Sequence, residues 1–141
     1  MMKYHGTCAA LIKQINDSLE RQANNILRED DLTIMQAAVL IELDQSGKKT
    51  LSLKDLEHTF GVAQPTMLGI VKRLTQKNLT ETLGSPEDKR IKLVRLTEQG
   101  LLKCSAGYAH MDSAEDSLLR TLSEDERKEF RRMLLKIKDT L

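Results

Sequence analysis

The sequence predicts a mainly helical fold with one small β-hairpin. Apolar residues recur every three or four positions along most of the 141 residues, which is the spacing of one face of an α-helix. The segment 91–96 instead alternates apolar and charged residues, as a half-buried strand does. Three of the apolar runs follow a Ser or Thr with Gln, Glu or Asp three residues later, a pattern typical of helix starts. A chain of this length is expected to form one domain.

The first helix is predicted to begin at Cys8 and to end near the acidic run 29–31. Its apolar positions fall on one face: Leu11, Ile12, Ile15, Leu19, Ala23, Ile26 and Leu27. The helix is therefore amphipathic along its whole length.

Three shorter helices are predicted in the segment that follows. The first starts at the Thr33 cap, is apolar almost throughout and closes at Gly47. The second begins after Ser52 and stops at Gly61. The third spans about 64–77 and is followed by Asn78 as a left-handed C-terminal residue. The second and third helices, joined by the turn after Gly61, form a helix-turn-helix.

A β-hairpin and two helices complete the predicted order. The apolar run 79–83 pairs with 91–96 around a charged tip. Thr97 is expected to cap a helix, and Ser123 with Glu126 opens the last one. The apolar positions of the first of these helices are Leu101, Cys104, Tyr108, Met111, Leu118 and Leu122. Those of the last helix are Phe130, Met133, Leu134, Ile137 and Leu141.

Positive charge is concentrated in the middle of the sequence. Residues 62–103 hold 8 basic and 4 acidic side chains, whereas segments 1–61 and 104–141 carry formal charges of −2 and −1. A local cationic patch can neutralise phosphates even though the net charge is only +1. Aromatic residues make up 3% of the chain and include no tryptophan, which argues against a stacking platform for single-stranded nucleic acid.

Several protein classes are not expected. No apolar run approaches the roughly 20 residues that span a bilayer, and the N-terminus does not resemble a signal peptide, so we expect a cytoplasmic protein without a membrane anchor. His5, His58 and His110 stand alone in the sequence, and no phosphate loop or nucleophile motif occurs, so we expect no enzyme, cofactor or metal ion. Cys8 and Cys104 are interpreted as small buried apolar residues.

One face of the 64–77 helix is suited to a DNA major groove. The side opposite its apolar stripe is formed by Pro65, Gly69, Lys72 and Gln76, with Leu68 and Arg73 beside them. A mid-helix glycine costs about 1 kcal/mol relative to alanine, and close approach to DNA would explain Gly69. A solvated face that tolerates a glycine is the alternative for this helix taken alone.

The hairpin tip carries the tripeptide Asp88-Lys89-Arg90. Arg90 could enter a minor groove, whose negative potential attracts arginine, and Asp88 could orient it through a bidentate pair. Charged hairpin tips are more often only solvated, so the preceding helix-turn-helix is what favours a DNA contact here.

Several of these motifs occur in a characteristic order. The tip motif Asp88-x-Arg90 is followed by Leu96-Thr97-x-x-Gly100. Upstream stand Leu32-Thr33-x-x-Gln36 with Val39-Leu40, Leu53-x-x-Leu56, Gln64-Pro65-Thr66 and Val71-x-x-Leu74. Over nearly its whole length the chain thereby resembles the MarR family of transcriptional regulators.

The resemblance implies a winged helix-turn-helix lobe over about 32–97, with dimerisation helices over about 1–31 and 98–141. It implies a homodimer that binds a pseudo-palindromic duplex operator, and a repressor released by a small aromatic effector. The residues implied to contact DNA are Gln64, Pro65, Thr66, Gly69, Lys72, Arg73, Asp88, Lys89 and Arg90. The expected dimer contacts are Leu11, Ile12, Ile15, Leu19, Phe130, Met133, Leu134 and Ile137, since a helix-turn-helix protein needs two copies to bind two half-sites.

Two departures from the family pattern and three alternatives accompany this interpretation. Ala63 stands where the family often has a capping serine, and Asn78 replaces a usual glycine. The alternatives are a winged-helix module that binds protein, a small-molecule-binding protein without DNA contacts, and a peroxide-sensing regulator that acts through Cys8. The concentration of positive charge in residues 62–103 argues against the first two.

Overall fold

The computed structural model describes residues 4–141 and has the predicted, mainly helical architecture with a small antiparallel sheet. After a 3-10 turn at Tyr4–Gly6, the helices are α1 (Cys8–Arg28), α2 (Ile34–Gln45), α3 (Leu53–Phe60), α4 (Gln64–Gln76), α5 (Glu98–Leu119) and α6 (Glu124–Asp139). The strands are β1 (Thr50–Ser52), β2 (Thr80–Gly84) and β3 (Lys92–Leu96). Within residues 4–141 no helix combines the length and the apolar character that a bilayer crossing requires.

The helix ends follow the local signals in the sequence. Thr33, Ser52 and Ser123 each form a reciprocal capping box with the residue three positions later. Gly61 and Asn78 are both left-handed, with φ of 61° and 62°. A capping side chain satisfies backbone N–H groups that have no helical partner and contributes about 1 kcal/mol.

The hairpin has a third strand that the sequence pattern did not predict. β1 pairs antiparallel with β3, with Leu51 opposite Val94, so the strand order is β1-β3-β2. Three residues are too few to show an alternating pattern, and the strand forms because β3 has a free edge. Since Ser52 is also the cap of α3, this pairing fixes the start of the helix-turn-helix against the hairpin.

Two sequence expectations were wrong. α5 ends at Leu119, so Leu122 lies in the turn before α6, where its N–H donates to the Leu119 carbonyl. Cys8 is exposed, because the N-terminal half of α1 has few neighbours within its own chain. Cys104 is buried as expected, and burial raises the pKa of its thiol to about 11. Because this thiol stays protonated at neutral pH, a thiol-based sensing mechanism would depend on Cys8.

The core lies between α2, α3, α4 and the sheet, and the end of α1 and the start of α5 close it. Its fully buried hydrophobic residues are Leu27, Val39, Leu40, Leu43, Leu56, Met67, Leu74 and Val94. α2 is buried on nearly every side, which explains its apolar sequence. α6, by contrast, buries no residue within the chain.

The start of α5 is fixed to the connection between α4 and β2. The Thr97 hydroxyl donates to the Asn78 carbonyl at 2.7 Å and accepts from the Gly100 N–H at 3.0 Å. The Thr97 N–H donates to the Leu79 carbonyl at 3.1 Å. A Cβ on Gly100 would lie 2.1 Å from that same carbonyl oxygen, so only glycine fits. The Leu96-Thr97-x-x-Gly100 motif thus connects α5 to the lobe that contains the helix-turn-helix and the hairpin.

We expect Gly100→Ala to lower the free energy of unfolding by roughly 3 kcal/mol, because the methyl group would overlap backbone that cannot move independently. Gly69→Ala is the matched control, since a Cβ there meets nothing within 4 Å. That control should gain about 1 kcal/mol from helix propensity. Urea unfolding followed by circular dichroism at one fixed protein concentration measures both. A Gly100→Ala variant as stable as the wild-type protein would contradict the proposed steric contact.

Candidate nucleic-acid interface

α4 presents one buried and one exposed face. Met67, Val71 and Leu74 are buried and Ile70 is half-buried. The opposite side is exposed and carries Gln64, Pro65, Thr66, Leu68, Gly69, Lys72, Arg73 and Gln76. All six α4 residues expected to contact DNA therefore lie on a surface that a ligand can reach.

The N-terminus of α4 has no side-chain cap. Ala63 is the N-cap residue and forms no such hydrogen bond, as its identity predicts. Pro65 follows within the first turn, where its missing N–H removes no helical hydrogen bond. The positive end of the helix dipole is consequently exposed at Gln64, beside the predicted base-contacting residues.

The hairpin tip orients one guanidinium. Arg90 donates to both carboxylate oxygens of Asp88, from Nε at 3.1 Å and from Nη2 at 3.2 Å. The Arg90 backbone N–H donates to the same carboxylate at 3.0 Å. These bonds hold the pKa of Asp88 below its ordinary value, so the pair stays intact at neutral pH and is lost only in acid, as the pH falls through that lowered pKa. The Arg90 side chain is still 91% exposed, so the guanidinium is both oriented and accessible.

The structure brings the start of α4 and the hairpin tip together. Gln64 and Arg90 line the same cleft of about 360 Å³. A neighbouring groove of about 500 Å³ runs between α4 and the sheet, with Lys72 and Lys92 on its walls. One continuous surface therefore combines residues that are more than twenty positions apart in sequence.

Sequence reasoning missed two basic residues of this surface. Lys54 on α3 and Lys92 on β3 both line the cleft that Gln64 and Arg90 share. The excess of basic residues in 62–103 included Lys92, but its neighbours in space are fixed only by the pairing of β3 with β1 and β2. Within the described part of the chain, no group of three His, Cys, Asp or Glu side chains is arranged to hold a metal ion.

A second surface is apolar and lies on the terminal helices. Six of the predicted dimerisation residues are 40–53% exposed, which is unusual for side chains of this size: Leu11, Ile12, Ile15, Met133, Leu134 and Ile137. Leu19 and Phe130 are half-buried. Leu135 and Leu141 of the last segment are exposed as well. The chain by itself does not cover these side chains.

Comparison with known proteins supports the architecture. Residues 30–91 match the sequence model of the MarR family. The multiple antibiotic resistance protein MarR of Salmonella typhimurium is 30% identical over 119 residues, which cover 82% of this chain and 80% of that protein.

Solved structures show the same fold. MepR of S. aureus, in complex with DNA, superposes with a TM-score of 0.88 at 25% identity and covers 96% of this chain and 98% of its own. BpsR of Bordetella bronchiseptica, whose DNA binding is regulated by 6-hydroxynicotinic acid, has a TM-score of 0.85 at 23% identity, with coverage of 99% and 98%.

Asp88→Ala tests whether the tip acts through orientation or through charge alone. Removing a negative charge would strengthen duplex binding if only net charge mattered. We expect instead a roughly 2- to 12-fold weaker affinity for the preferred duplex. Without Asp88 the Arg90 side chain is mobile in the free protein, so binding to DNA must restrict it at a cost in conformational entropy. Fluorescence anisotropy with a labelled duplex measures the change.

Glu87→Ala is the matched control for that experiment. It removes the same charge from the same exposed tip, but the Glu87 side chain does not hold Arg90. The control should bind the duplex as well as the wild-type protein or slightly better. An equal gain in affinity for both variants would contradict a role for the Asp88–Arg90 pair.

Proposed function

The chain belongs to the MarR family, and on that premise we propose that it is a homodimeric repressor of transcription that binds a pseudo-palindromic operator through α4 and the hairpin. The main support is the continuous surface on which the exposed face of α4 meets the Asp88-held Arg90. α4 provides side chains suited to a major groove, and the hairpin tip provides an arginine suited to the adjacent minor groove.

Gly69 supports close approach of α4 to the bases. A Cβ at this position would meet nothing within 4 Å, so packing inside the protein does not require a glycine. Because glycine destabilises a helix interior by about 1 kcal/mol, its presence favours a requirement from outside the chain. A duplex whose base edges come within contact distance of the α4 backbone supplies that requirement.

Charge placement supports phosphate contacts around this centre. Lys54, Lys89 and Lys92 are exposed and lie on α3 and the hairpin, and Lys54 and Lys92 line the cleft that Gln64 and Arg90 share. Such lysines neutralise phosphates without distinguishing sequences and so hold the protein in register. Sequence discrimination is then carried by Gln64, Thr66 and Lys72 on α4.

The apolar side chains of α1 and α6 support dimerisation. A second copy covers the exposed stripe and places two α4 helices so that they reach successive major-groove half-sites, roughly 34–36 Å apart. α6 buries none of its residues within one chain, so much of its stability comes from the partner subunit.

A small cavity between α2 and α5 is suited to an effector. It has a volume of about 310 Å³, and most of its lining is apolar: Ile34, Ala37, Ala38, Ile41, Phe60, Gly107 and Met111, with Glu42, Gln45 and His110. Among the side chains of residues 5–141, His110 Nδ1 is the only buried nitrogen or oxygen without a hydrogen-bond partner. A small aromatic molecule fits the apolar lining, and a polar group on it can bond to Glu42, Gln45 or His110.

The cavity adjoins the contact between the DNA-binding lobe and the dimerisation helices. A Cβ on Gly107 would lie 2.7 Å from Ile41, so α2 and α5 are already in close contact at this point. The Tyr108 hydroxyl donates to Asp44 at 2.7 Å and joins the same two helices. An effector here separates α2 from α5, changes the distance between the two α4 helices and releases the operator.

Selection of bound duplexes from a random DNA pool tests the DNA-binding function. We expect the wild-type protein to enrich a pseudo-palindrome, and Arg90→Ala to bind it about tenfold more weakly. Met133→Asp should abolish enrichment of the paired half-sites, because a charge on the apolar stripe disrupts the dimer. Met133→Leu is the matched control and should retain it.

Two outcomes would contradict the proposed function. One is the absence of any enriched sequence. The other is an enriched single half-site bound by a protein that sediments as a 16.0 kDa monomer at micromolar concentration.

His110→Phe tests the effector cavity. We expect 6-hydroxynicotinic acid, the compound that regulates BpsR, to weaken operator binding by the wild-type protein. The variant should be about tenfold less sensitive, because it loses one polar contact but keeps the ring volume. It should also resist urea better, since a buried unpaired nitrogen is removed. Operator anisotropy and urea unfolding measure the two effects. A variant as responsive as the wild-type protein would exclude His110 from the effector site.

A further inference from the structure

Lys77 links the end of α4 to the turn that follows α1. It is the C-cap residue of α4, and its Nζ donates to the Gln36 side-chain oxygen at 3.0 Å and to the Asp31 main-chain carbonyl. The same ammonium group forms an ion pair with the Asp31 carboxylate at 3.5 Å. The Lys77 side chain is 29% exposed and Gln36 is buried, so the Lys77–Gln36 hydrogen bond is partly shielded from water, whereas the Asp31 carboxylate is 91% exposed and its ion pair is screened.

Asp30, the neighbouring residue of that turn, contacts α5. Lys103 donates to the Asp30 carbonyl at 3.2 Å and approaches the Asp30 carboxylate at 3.5 Å. Adjacent acidic residues therefore bind one lysine from the end of α4 and one from a dimerisation helix. We call the pair Asp30 and Asp31 the acidic turn.

The acidic turn is itself fixed to α1. The Asp30 and Asp31 N–H groups donate to the Leu27 and Arg28 carbonyls, each at 3.0 Å. Asp31 is left-handed, with φ of 54°, a conformation that non-glycine residues adopt only where the surrounding structure favours it. Because of both features the turn continues α1 as an ordered segment.

The end of α4 is consequently held from two sides. The Thr97 hydroxyl donates to the Asn78 carbonyl and joins the end of α4 to the start of α5. Lys77 donates to the Asp31 carbonyl and joins it to the turn after α1. α4 also packs against α2, α3 and β2. Lys77 and Thr97 are thus direct polar links from the end of α4 to the turn after α1 and to the start of α5, and together with the shared core they hold the angle between α4 and the dimerisation helices.

A small change of that angle is sufficient to alter DNA binding. α4 has 13 residues and is about 20 Å long. A rotation of about 10° about its C-terminal end moves its N-terminal end by roughly 3.4 Å, the rise of one base pair. In a dimer this displacement occurs at both half-sites.

We propose that Lys77 and the acidic turn are positioning elements that set the spacing of the two half-sites the dimer accepts. The inference rests on the proposed DNA-binding function and concerns how the two α4 helices are held apart. The Lys77 ammonium group itself contacts Asp31 and Gln36.

Lys77→Met is tested on the selected operator and on two versions with one base pair added or removed between the half-sites. The wild-type protein should prefer the selected spacing strongly. In the variant, the ratio of the affinity for the selected spacing to that for the altered spacings should fall about tenfold, which corresponds to the loss of one charge-assisted hydrogen bond. Lys77→Arg, which can still donate to the same oxygens, should restore it. Lys48→Met removes the same charge from an exposed loop and should keep the wild-type preference.

A spectroscopic distance measurement separates this proposal from the proposed function. Spin labels at Thr66→Cys on α4 and Leu102→Cys on α5 are placed in a Cys8→Ser background, with the labelled chain diluted into unlabelled protein. The distance distribution should be narrow when position 77 is the native lysine, and equally narrow in Lys77→Arg. In Lys77→Met it should broaden by several ångströms, because the end of α4 is then held from one side only.

The outcomes are distinguishable. A Lys77→Met protein that loses affinity equally for all three spacings, or whose distance distribution stays narrow, overturns the positioning role. If the wild-type protein selects no operator but the distribution broadens in Lys77→Met, the positioning role stands and the DNA-binding function fails.

Discussion

The contact between Gly100 and the Leu79 carbonyl is the constraint on which the rest of the structure depends. Because no side chain fits between them, the first turn of α5 lies directly on the backbone that connects α4 to β2. The Thr97 hydroxyl completes this joint by bonding the Asn78 carbonyl. α5, a predicted dimerisation helix, is thereby rigidly connected to α4 and the hairpin, which form the candidate DNA surface.

The chain divides its apolar residues between two purposes. The core lies mainly between α2, α3, α4 and the sheet, and Leu27 of α1 and Cys104 of α5 complete it. α6 buries nothing, and α1 is covered only where it meets α2 and α5. The main core therefore forms within one chain, whereas the exposed apolar side chains of α1 and α6 remain available for association, which contributes about 25 cal/mol for each Å² of apolar surface removed from water.

Acidic residues determine which cations are available to DNA. Asp88 holds Arg90 in an exposed position, whereas Asp30 and Asp31 pair with Lys103 and Lys77, whose side chains are partly buried. A net charge of +1 is therefore compatible with a candidate DNA-binding surface, because some positive groups are exposed on that surface and others pair with acidic residues elsewhere in the protein. The cavity of about 310 Å³ lies at a second contact between the lobe and α5, where Gly107 meets Ile41.

The sequence by itself determined the features that depend on near neighbours. The capping boxes, the left-handed Gly61 and Asn78 and the Asp88–Arg90 pair each involve residues within a few positions of one another, so their chemistry is legible in the chain. Only the tertiary structure decided the β1 pairing, the exposure of Cys8 and the contact of Lys77 with Asp31. These three features depend on which distant segments pack together when the core forms, and a local sequence pattern does not predict such long-range contacts.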